Sequence, residues 1–279
     1  MKMQFLGLEL TDDENQEEFS RFHVIPCPME ETVSYGIGTS KGPEAIIKAS
    51  HELERSFICE QGIFTHSPID CSVSHAESLV RLNTAVKNVL EKERVPIILG
   101  GEHSLSWAAV NAVSEKIGKK IGIIQIDAHA DLRRNYGGNP HSHASVMNLL
   151  VNEGHSLASL GVRAICEEER TTRQEFGVIF WDGEDLVRSN TSSVQLPEDF
   201  PEFVYVSFDL DGLDPSIMPA VGTPVPGGLN YYQAIDLVKS CLYGRKCVGL
   251  DMVELAPFGD DVVSPFTAAC LLQRLIELL

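Results

Sequence analysis

The chain has 279 residues, of which 43% are hydrophobic, 22% charged and 7% aromatic, the proportions of an ordinary globule rather than a disordered chain. Its 40 acidic and 22 basic residues give a formal net charge of -18, which excludes the basic stripe a nucleic-acid footprint needs and leaves a field suited to keeping the protein in solution or drawing in cations. Seven cysteines without a CxxC spacing argue against a disulfide framework or a cysteine-rich zinc knuckle. No basic region followed by an apolar leader and no bilayer-length apolar run is present, so the expectation is a soluble, cytoplasmic protein with no membrane partner.

In chain order, Phe22-His23-Val24-Ile25-Pro26 reads as a first short strand behind an acidic loop. The glycine-rich stretch from Ser34 to Pro43 has neither the dinucleotide nor the Walker spacing, which argues against a phosphate cradle. Pro43 then opens a helix carrying Ala45, Ile46, Ile47 and Ala49. A second helix is predicted from Ser74 to about Lys92, with Leu79, Leu82, Val86 and Leu90 at helical spacing. Val95-Pro96-Ile97-Ile98-Leu99 is too short for a helix and is broken by Gly100-Gly101. Helical spacing resumes from Leu105 to Lys116, and Ile121 to Ile126 forms the next buried strand.

The alternation continues. Ser145 to Val151 reads as helix, while Leu157 to Val162, Phe176 to Phe180 and Phe203 to Phe208 read as extended; Glu167-Glu168-Glu169-Arg170 reads as a solvated charge run. Tyr231 to Leu242 is a helix, Cys247 to Leu250 a strand, and Pro265 to Leu279 a final helix. Cys166, Cys241, Cys247 and Cys270 fall in or beside these apolar segments and read as small core hydrophobes. Apolar strands alternating with amphipathic helices mark a parallel sheet covered on both faces. With no linker in the sequence, the expected architecture is one domain over 1–279, a three-layer α/β/α sandwich around a mostly parallel β-sheet.

Ligands in such sheets collect beyond the carboxyl ends of the strands, and three polar clusters fall there. In Asp127-Ala128-His129-Ala130-Asp131, continued strand geometry would place Asp127, His129 and Asp131 on one face. Asp209 and Asp211 follow the strand ending at Phe208, and His103 follows Gly100-Gly101-Glu102. Four aspartates and two neutral imidazoles carry a formal charge of -4, which two divalent cations would neutralise. The oxygen-rich, thiol-free set suits manganese. Asp214, before Pro215, reads as a turn former. His141 and His143 are both placed for proton transfer, and spacing does not separate them; Glu254 is a further carboxylate at the same rim.

Gly-Gly-Glu-His at 100–103, Asp-Ala-His-Ala-Asp at 127–131, Ser-Phe-Asp-Leu-Asp-Gly-Leu-Asp-Pro at 207–215 and Gly-Thr-Pro-Val-Pro-Gly-Gly at 222–228 resemble the ureohydrolase family, which includes arginase and agmatinase. The similarity runs from about Gly36 to Leu279. It implies an arginase-like α/β fold, two Mn2+ ions per subunit and a homotrimer or homohexamer. It also implies His103, Asp127, Asp131 and Asp209 as ligands of one ion and Asp127, His129, Asp209 and Asp211 as ligands of the other. The same resemblance selects His143 over His141 for proton transfer to the departing amine, gives Asp131 the proton of a metal-bridging hydroxide, and makes Glu254 the carboxylate that pairs with a substrate guanidinium.

Family arginases tend to carry Asn two residues after the DxHxD triplet, where this chain has Arg133. That departure, with the Ser142-His143-Ala144-Ser145 and Gly161-Val162-Arg163 forms, resembles the agmatinase branch. The implied reaction is hydrolysis of agmatine to putrescine and urea, with guanidinobutyrase, formimidoylglutamase or arginase activity as alternatives, and a catalytically silent metal-binding scaffold further behind. Arg133 and Arg134 are the candidates for contact with the substrate tail.

Overall fold

A computed structural model describes residues 3–279. Eight strands, β1 (Phe22–Cys27), β2 (Ile63–Thr65), β3 (Val95–Gly100), β4 (Gly122–Ile126), β5 (Ser156–Leu160), β6 (Ile179–Trp181), β7 (Phe203–Asp209) and β8 (Lys246–Val253), form one sheet in the order β2-β1-β3-β8-β7-β4-β5-β6. Every pairing is parallel. Eight α-helices cover it: α1 (Gly42–Ala49), α2 (His75–Glu91), α3 (Ser106–Ile117), α4 (Val146–Asn152), α5 (Glu167–Glu175), α6 (Gly183–Arg188), α7 (Tyr231–Leu242) and α8 (Val263–Ile276). The three-layer α/β/α sandwich is the architecture expected.

The central strands read as unbroken apolar runs because both faces are buried, and the pleat divides each run between two cores. Ile97, Leu99, Ile124, Ile126, Val206, Phe208, Leu250 and Met252 face one core with residues of α1, α7 and α8. Ile98, Ile123, Tyr205 and Val253 face the other with residues of α2, α3 and α4. Helix ends follow local chemistry. Ser74 caps α2 by accepting the Glu77 N–H at 3.3 Å, and Asn230 and Gln233 cap α7 reciprocally at 2.9 and 3.4 Å. No helix among the described residues is long and apolar enough to cross a membrane.

Four local expectations change. The strand predicted at 176–180 begins only at Ile179, because Phe176 closes α5 and Gly177 takes φ 60°. The charge run at 167–170 forms the first turn of α5, with Glu167, Glu168 and Arg170 exposed as expected and Glu169 buried. Helix α6 and the three-residue strand β2 lie in segments without a predicted element. Strand β8 extends through Val253.

Candidate metal centre

β3, β8, β7 and β4 are neighbours in the sheet, and the polar clusters follow their carboxyl ends. His103 lies three residues beyond β3, Asp127 directly beyond β4, Asp209 at the end of β7 and Glu254 directly beyond β8. Gly101 permits the first of these turns, since a Cβ there would stand 1.9 Å from the carbonyl oxygen of Met29.

Convergence of the 127–131 cluster has a different cause from the one expected. The strand ends at Ile126, so alternation does not carry through the triplet. Instead Asp127 Oδ1 accepts the backbone N–H of His129 at 2.6 Å, folding the chain back on itself. Asp131 then takes a left-handed backbone, φ 52°, with its carbonyl held by the N–H groups of Met147 and Asn148 at 3.1 Å each. Asp209 makes the same kind of turn, accepting the Asp211 N–H at 2.8 Å. Glu254 has φ 69° and is also non-glycine, a conformation that persists only where surrounding contacts enforce it. Its N–H donates to Gly101 O at 2.9 Å, and its Oε1 accepts the His103 N–H at 2.7 Å.

The result is two adjacent triads with Asp127 in both: His103, Asp127 and Asp209, and Asp127, His129 and Asp211. His103 Nδ1 lies 3.2 Å from Asp127 Oδ2, 2.9 Å from Asp131 Oδ2 and 3.3 Å from Asp209 Oδ2. His129 Nδ1 lies 2.8 Å from Asp211 Oδ2 and 3.7 Å from Asp127 Oδ1.

The state of His103 tests whether cations fit. Its Nε2 lies 2.9 Å from Ser207 Oγ, and that hydroxyl donates to Asp251 Oδ1 at 2.9 Å, so the Nε2 proton is donated to Ser207. Nδ1 is then a buried lone pair with no hydrogen-bond partner, facing three carboxylate oxygens. A positive charge must relieve that arrangement: against the burial that opposes it, Asp127, Asp131 and Asp209 raise His103 well above its usual range, and a cation between the groups does the same work. The electrostatics agree. Burial, with Asp131 and Asp211 nearby, pushes Asp127 up to about 7, and burial with Asp211 and Asp127 raises Asp209 well above the carboxylate range. Burial opposes charge on His129, but Asp211 lifts it to about 10. Asp211, despite its own burial, is held near 2 by His129. A carboxylate cluster that attracts protons this strongly is a cation site with the cation replaced by protons.

Over the triads opens a cavity of about 410 Å³ lined by His103, His129, Asp131, Asp209, Asp211, Glu254, Arg133, Tyr136 and His143, among others. Its far wall is made where Gly36 and Gly222 meet, close enough that a Cβ on Gly36 would stand 2.7 Å from Gly222 Cα. Burial pushes Glu254 up to about 8, partly offset by the His103 N–H.

The structure separates the two loop histidines. His143 lines the cavity, its ring 5.6 Å from Tyr136. His141 instead packs edge-on against Trp107 at 5.3 Å and is not in the cavity wall. The two arginines part as well. Arg133 is in the wall with its guanidinium over Tyr136 at 5.6 Å. Arg134 is not; it is exposed and reaches Glu175 at 3.6 Å. Cys166, expected as a core hydrophobe, lines the cavity too. Asp214 is the turn former expected: it accepts the N–H groups of Ser216, Gly227 and Gly228 at 2.9–3.0 Å.

Two residues that the sequence shows only as members of motifs, Glu102 and Arg163, support the site. Glu102, fully buried, accepts the N–H groups of Glu31 and Thr32 at 2.6 and 2.5 Å and the hydroxyls of Thr32 and Ser104 at 2.7 and 2.5 Å. Against its burial, His75, Ser104 and Thr32 hold its carboxyl near 2. With its proton given to Glu102, Thr32 Oγ1 accepts from His143 N–H at 3.0 Å and from His143 Nδ1, 3.2 Å away. That fixes His143 with its proton on Nδ1 and frees Nε2. Arg163 meanwhile donates to the carbonyls of Asp211, Gly212, Leu213, Gly161 and Val225 at 2.7–3.2 Å, clamping the turn that presents Asp211. Neither support is coded locally, since most of their partners lie tens of residues away.

Residues 20–277 match the Arginase family. This chain belongs to it. The chain is 36% identical over 269 residues to an N(1)-aminopropylagmatine ureohydrolase of Thermus thermophilus, covering 94% of this chain and 91% of that one. It is 35% identical over 213 residues to the mitochondrial arginase of Medicago truncatula, covering 74% and 62%. Among solved structures, the agmatine ureohydrolase of Thermoplasma volcanium superposes with a TM-score of 0.83 at 29% identity, covering 97% of this chain and 94% of that one. As a ureohydrolase-family enzyme, the protein is a hydrolase of guanidino or amidine compounds, and its adjacent triads are typical of the family's binuclear manganese site.

Proposed function

We propose that this ureohydrolase acts on a guanidinoalkylamine without a carboxylate, agmatine or its N-aminopropyl derivative, and releases urea with the corresponding amine, putrescine in the case of agmatine. The observation that carries the reading is the pair of triads sharing Asp127 beneath a cavity walled by Glu254 and His143. In the proposed assignment His103, Asp127, Asp131 and Asp209 hold one ion and Asp127, His129, Asp209 and Asp211 the other, with Asp127 and Asp209 common to both. Two bound Mn2+ ions would activate water at neutral pH and stabilise developing negative charge on the substrate.

The remaining work belongs to the chain. Glu254 pairs with the guanidinium, and the cation's arrival compensates for the burial that otherwise favours its protonated form. Asp131, in the cavity wall, receives the proton of the attacking water. His143, whose Nδ1–H donates to Thr32, takes up a second proton from solvent on Nε2 and hands it to the departing amine. Arg133 packs its stem along the substrate tail at the mouth. Arg134 is left out of the site. The acidic surplus of the chain favours a cationic substrate.

The longer, aminopropylated substrate is favoured by one observation: relatives from Synechocystis, Thermus and Thermococcus, 32–36% identical over more than nine-tenths of this chain, bear the name N(1)-aminopropylagmatine ureohydrolase. The test is urea release by Mn-loaded protein from N(1)-aminopropylagmatine, agmatine, arginine, guanidinobutyrate and formiminoglutamate. The proposal expects the first two to exceed the others in kcat/KM by about tenfold or more. Comparable rates on arginine would overturn the choice of tail, and silence on every compound would overturn the enzyme reading. A homotrimer or homohexamer, proposed with it, is read by light scattering after gel filtration.

A further inference from the structure

Two thiols meet at the foot of the His103 turn. Cys27 ends β1 and pairs in register with Gly100 at the end of β3. Its Sγ lies 3.9 Å from that of Cys71, which sits partly exposed in the segment between β2 and α2. Their backbones are already tied together, because the Ile69 N–H donates to Pro26 O at 2.8 Å, one residue before Cys27 and two before Cys71. A disulfide needs the 3.9 Å separation to shorten by about 2 Å, within reach of side-chain rotation and a small shift of the exposed segment.

We propose that Cys27 and Cys71 form an oxidation site, a dithiol that hydrogen peroxide closes to a reversible disulfide, and that closure slows the enzyme. Cys71 is the thiol a reagent reaches first, while Cys27 is fully buried. The hydrogen bond between them lowers the Cys71 thiol, and the same bond with burial raises Cys27, which divides the roles into nucleophile and resolving thiol. The Cys71 thiolate attacks one peroxide oxygen, forming S–O as O–O breaks, and the hydroxide released takes up a proton. Cys27 then loses its proton and attacks the Cys71 sulfur, forming S–S and expelling hydroxide as a second water. Two electrons leave the thiols, and one peroxide becomes two waters.

The strain reaches the metal centre through short links. Cys27 O accepts the N–H groups of Met29 and Gly101 at 2.8 and 2.9 Å, and Gly101 O accepts the Glu254 N–H at 2.9 Å. Gly101 packs directly on Met29, where an added Cβ would stand 1.9 Å from the carbonyl oxygen, so displacement of Cys27 would be passed on through it to His103 and Glu254.

The test treats Mn-loaded protein with hydrogen peroxide, alkylates the remaining thiols and maps them by peptide mass spectrometry. The expected product is a Cys27–Cys71 linked peptide pair, about 2 Da lighter than the two free peptides because two hydrogens are lost, and it disappears on reduction with a phosphine. Cys71→Ser should keep basal activity and yield no such pair. Alkylation of both cysteines, or Cys71 oxidised to sulfinic acid with Cys27 free, would overturn the site. The activity arm rests on the ureohydrolase reading: peroxide should cut urea release by about tenfold, within what an ångström of misplacement costs, with recovery on reduction and no effect on Cys71→Ser. A linked pair with unchanged turnover would overturn the slowing alone, and protein inactive before treatment would count against the ureohydrolase reading, not the disulfide.

Discussion

Replacing Thr32 by valine tests how His143 is held. The exchange keeps the volume and branched shape but removes the hydroxyl that donates to Glu102 at 2.7 Å and accepts from His143 N–H at 3.0 Å and Nδ1 at 3.2 Å. Glu102 keeps its two backbone donors and Ser104, so the loop retains its main anchor. What is lost falls on His143, whose backbone N–H and Nδ1–H lose their acceptor. At about 1 kcal/mol for each neutral bond, alignment and tautomer are weakened by about 2 kcal/mol, or about 30-fold in rate. Because the His143 proton is needed at departure of the amine, the loss should appear in kcat and leave KM within about twofold. Steady-state urea release, with manganese content measured on the same samples, reads both. Thr32→Ser should recover all but about threefold of the loss. An unchanged kcat in the valine variant, or a serine variant as slow as valine, would refute the argument.

His129→Asn should lower bound manganese from two ions to about one per chain by elemental analysis and leave almost no turnover; two retained ions with full activity would remove His129 from the ligand set. His143→Ala should keep its metal and lose about 10²-fold in kcat, the low end for a lost proton-transfer group, whereas His141→Ala, packed on Trp107, should stay within about twofold of the parent on the same scale. Arg134→Ala removes an exposed ion pair worth about 0–1 kcal/mol, so kinetics and melting temperature should hardly move; a large rise in KM would bring Arg134 back to the substrate. Manganese should raise the melting temperature more as pH rises from about 5 to 8. In the metal-free fold Asp127 is raised to about 7, so its stabilising proton is lost as pH rises through that value; His129, raised to about 10, loses its contribution only above its ordinary range. Metal binding must expel such protons, and a thermal gain that is flat or falls with pH would contradict this.

The sheet was largely legible because strands buried on both faces leave unbroken apolar runs, and β3, β4 and β7 carry such runs at nearly their full lengths. Strand β2, three residues long at the sheet edge, leaves too short a trace. α5 was hidden for the opposite reason: all nine of its residues are polar or charged, Glu167 through Glu175, and only Glu169, Thr172 and Arg173 turn inward. At the metal centre, the spacing of the Asp127 cluster anticipated that Asp127, His129 and Asp131 converge, but through a different geometry from the one found. A strand would have set Asp131 on the same pleat as Asp127, whereas a left-handed residue held by the first turn of α4 does so. Thr32, Glu102 and Arg163 act across the fold, on partners up to 111 residues away in the chain, and no local pattern announces them.

The position of β8 has a consequence for how this protein comes into being. The strand at 246–253 lies between β3 and β7, so the two halves of the sheet cannot be joined until it has left the ribosome. Everything made earlier waits with strand edges unpaired, a state slow to resolve and open to aggregation. His103 belongs to one side of that gap and Asp127, His129, Asp209 and Asp211 to the other. Ribosome-bound chains stopped before residue 246 should therefore fail to complete the site that needs His103 beside Asp127 and Asp209, and capture of the second ion becomes one of the last acts of synthesis.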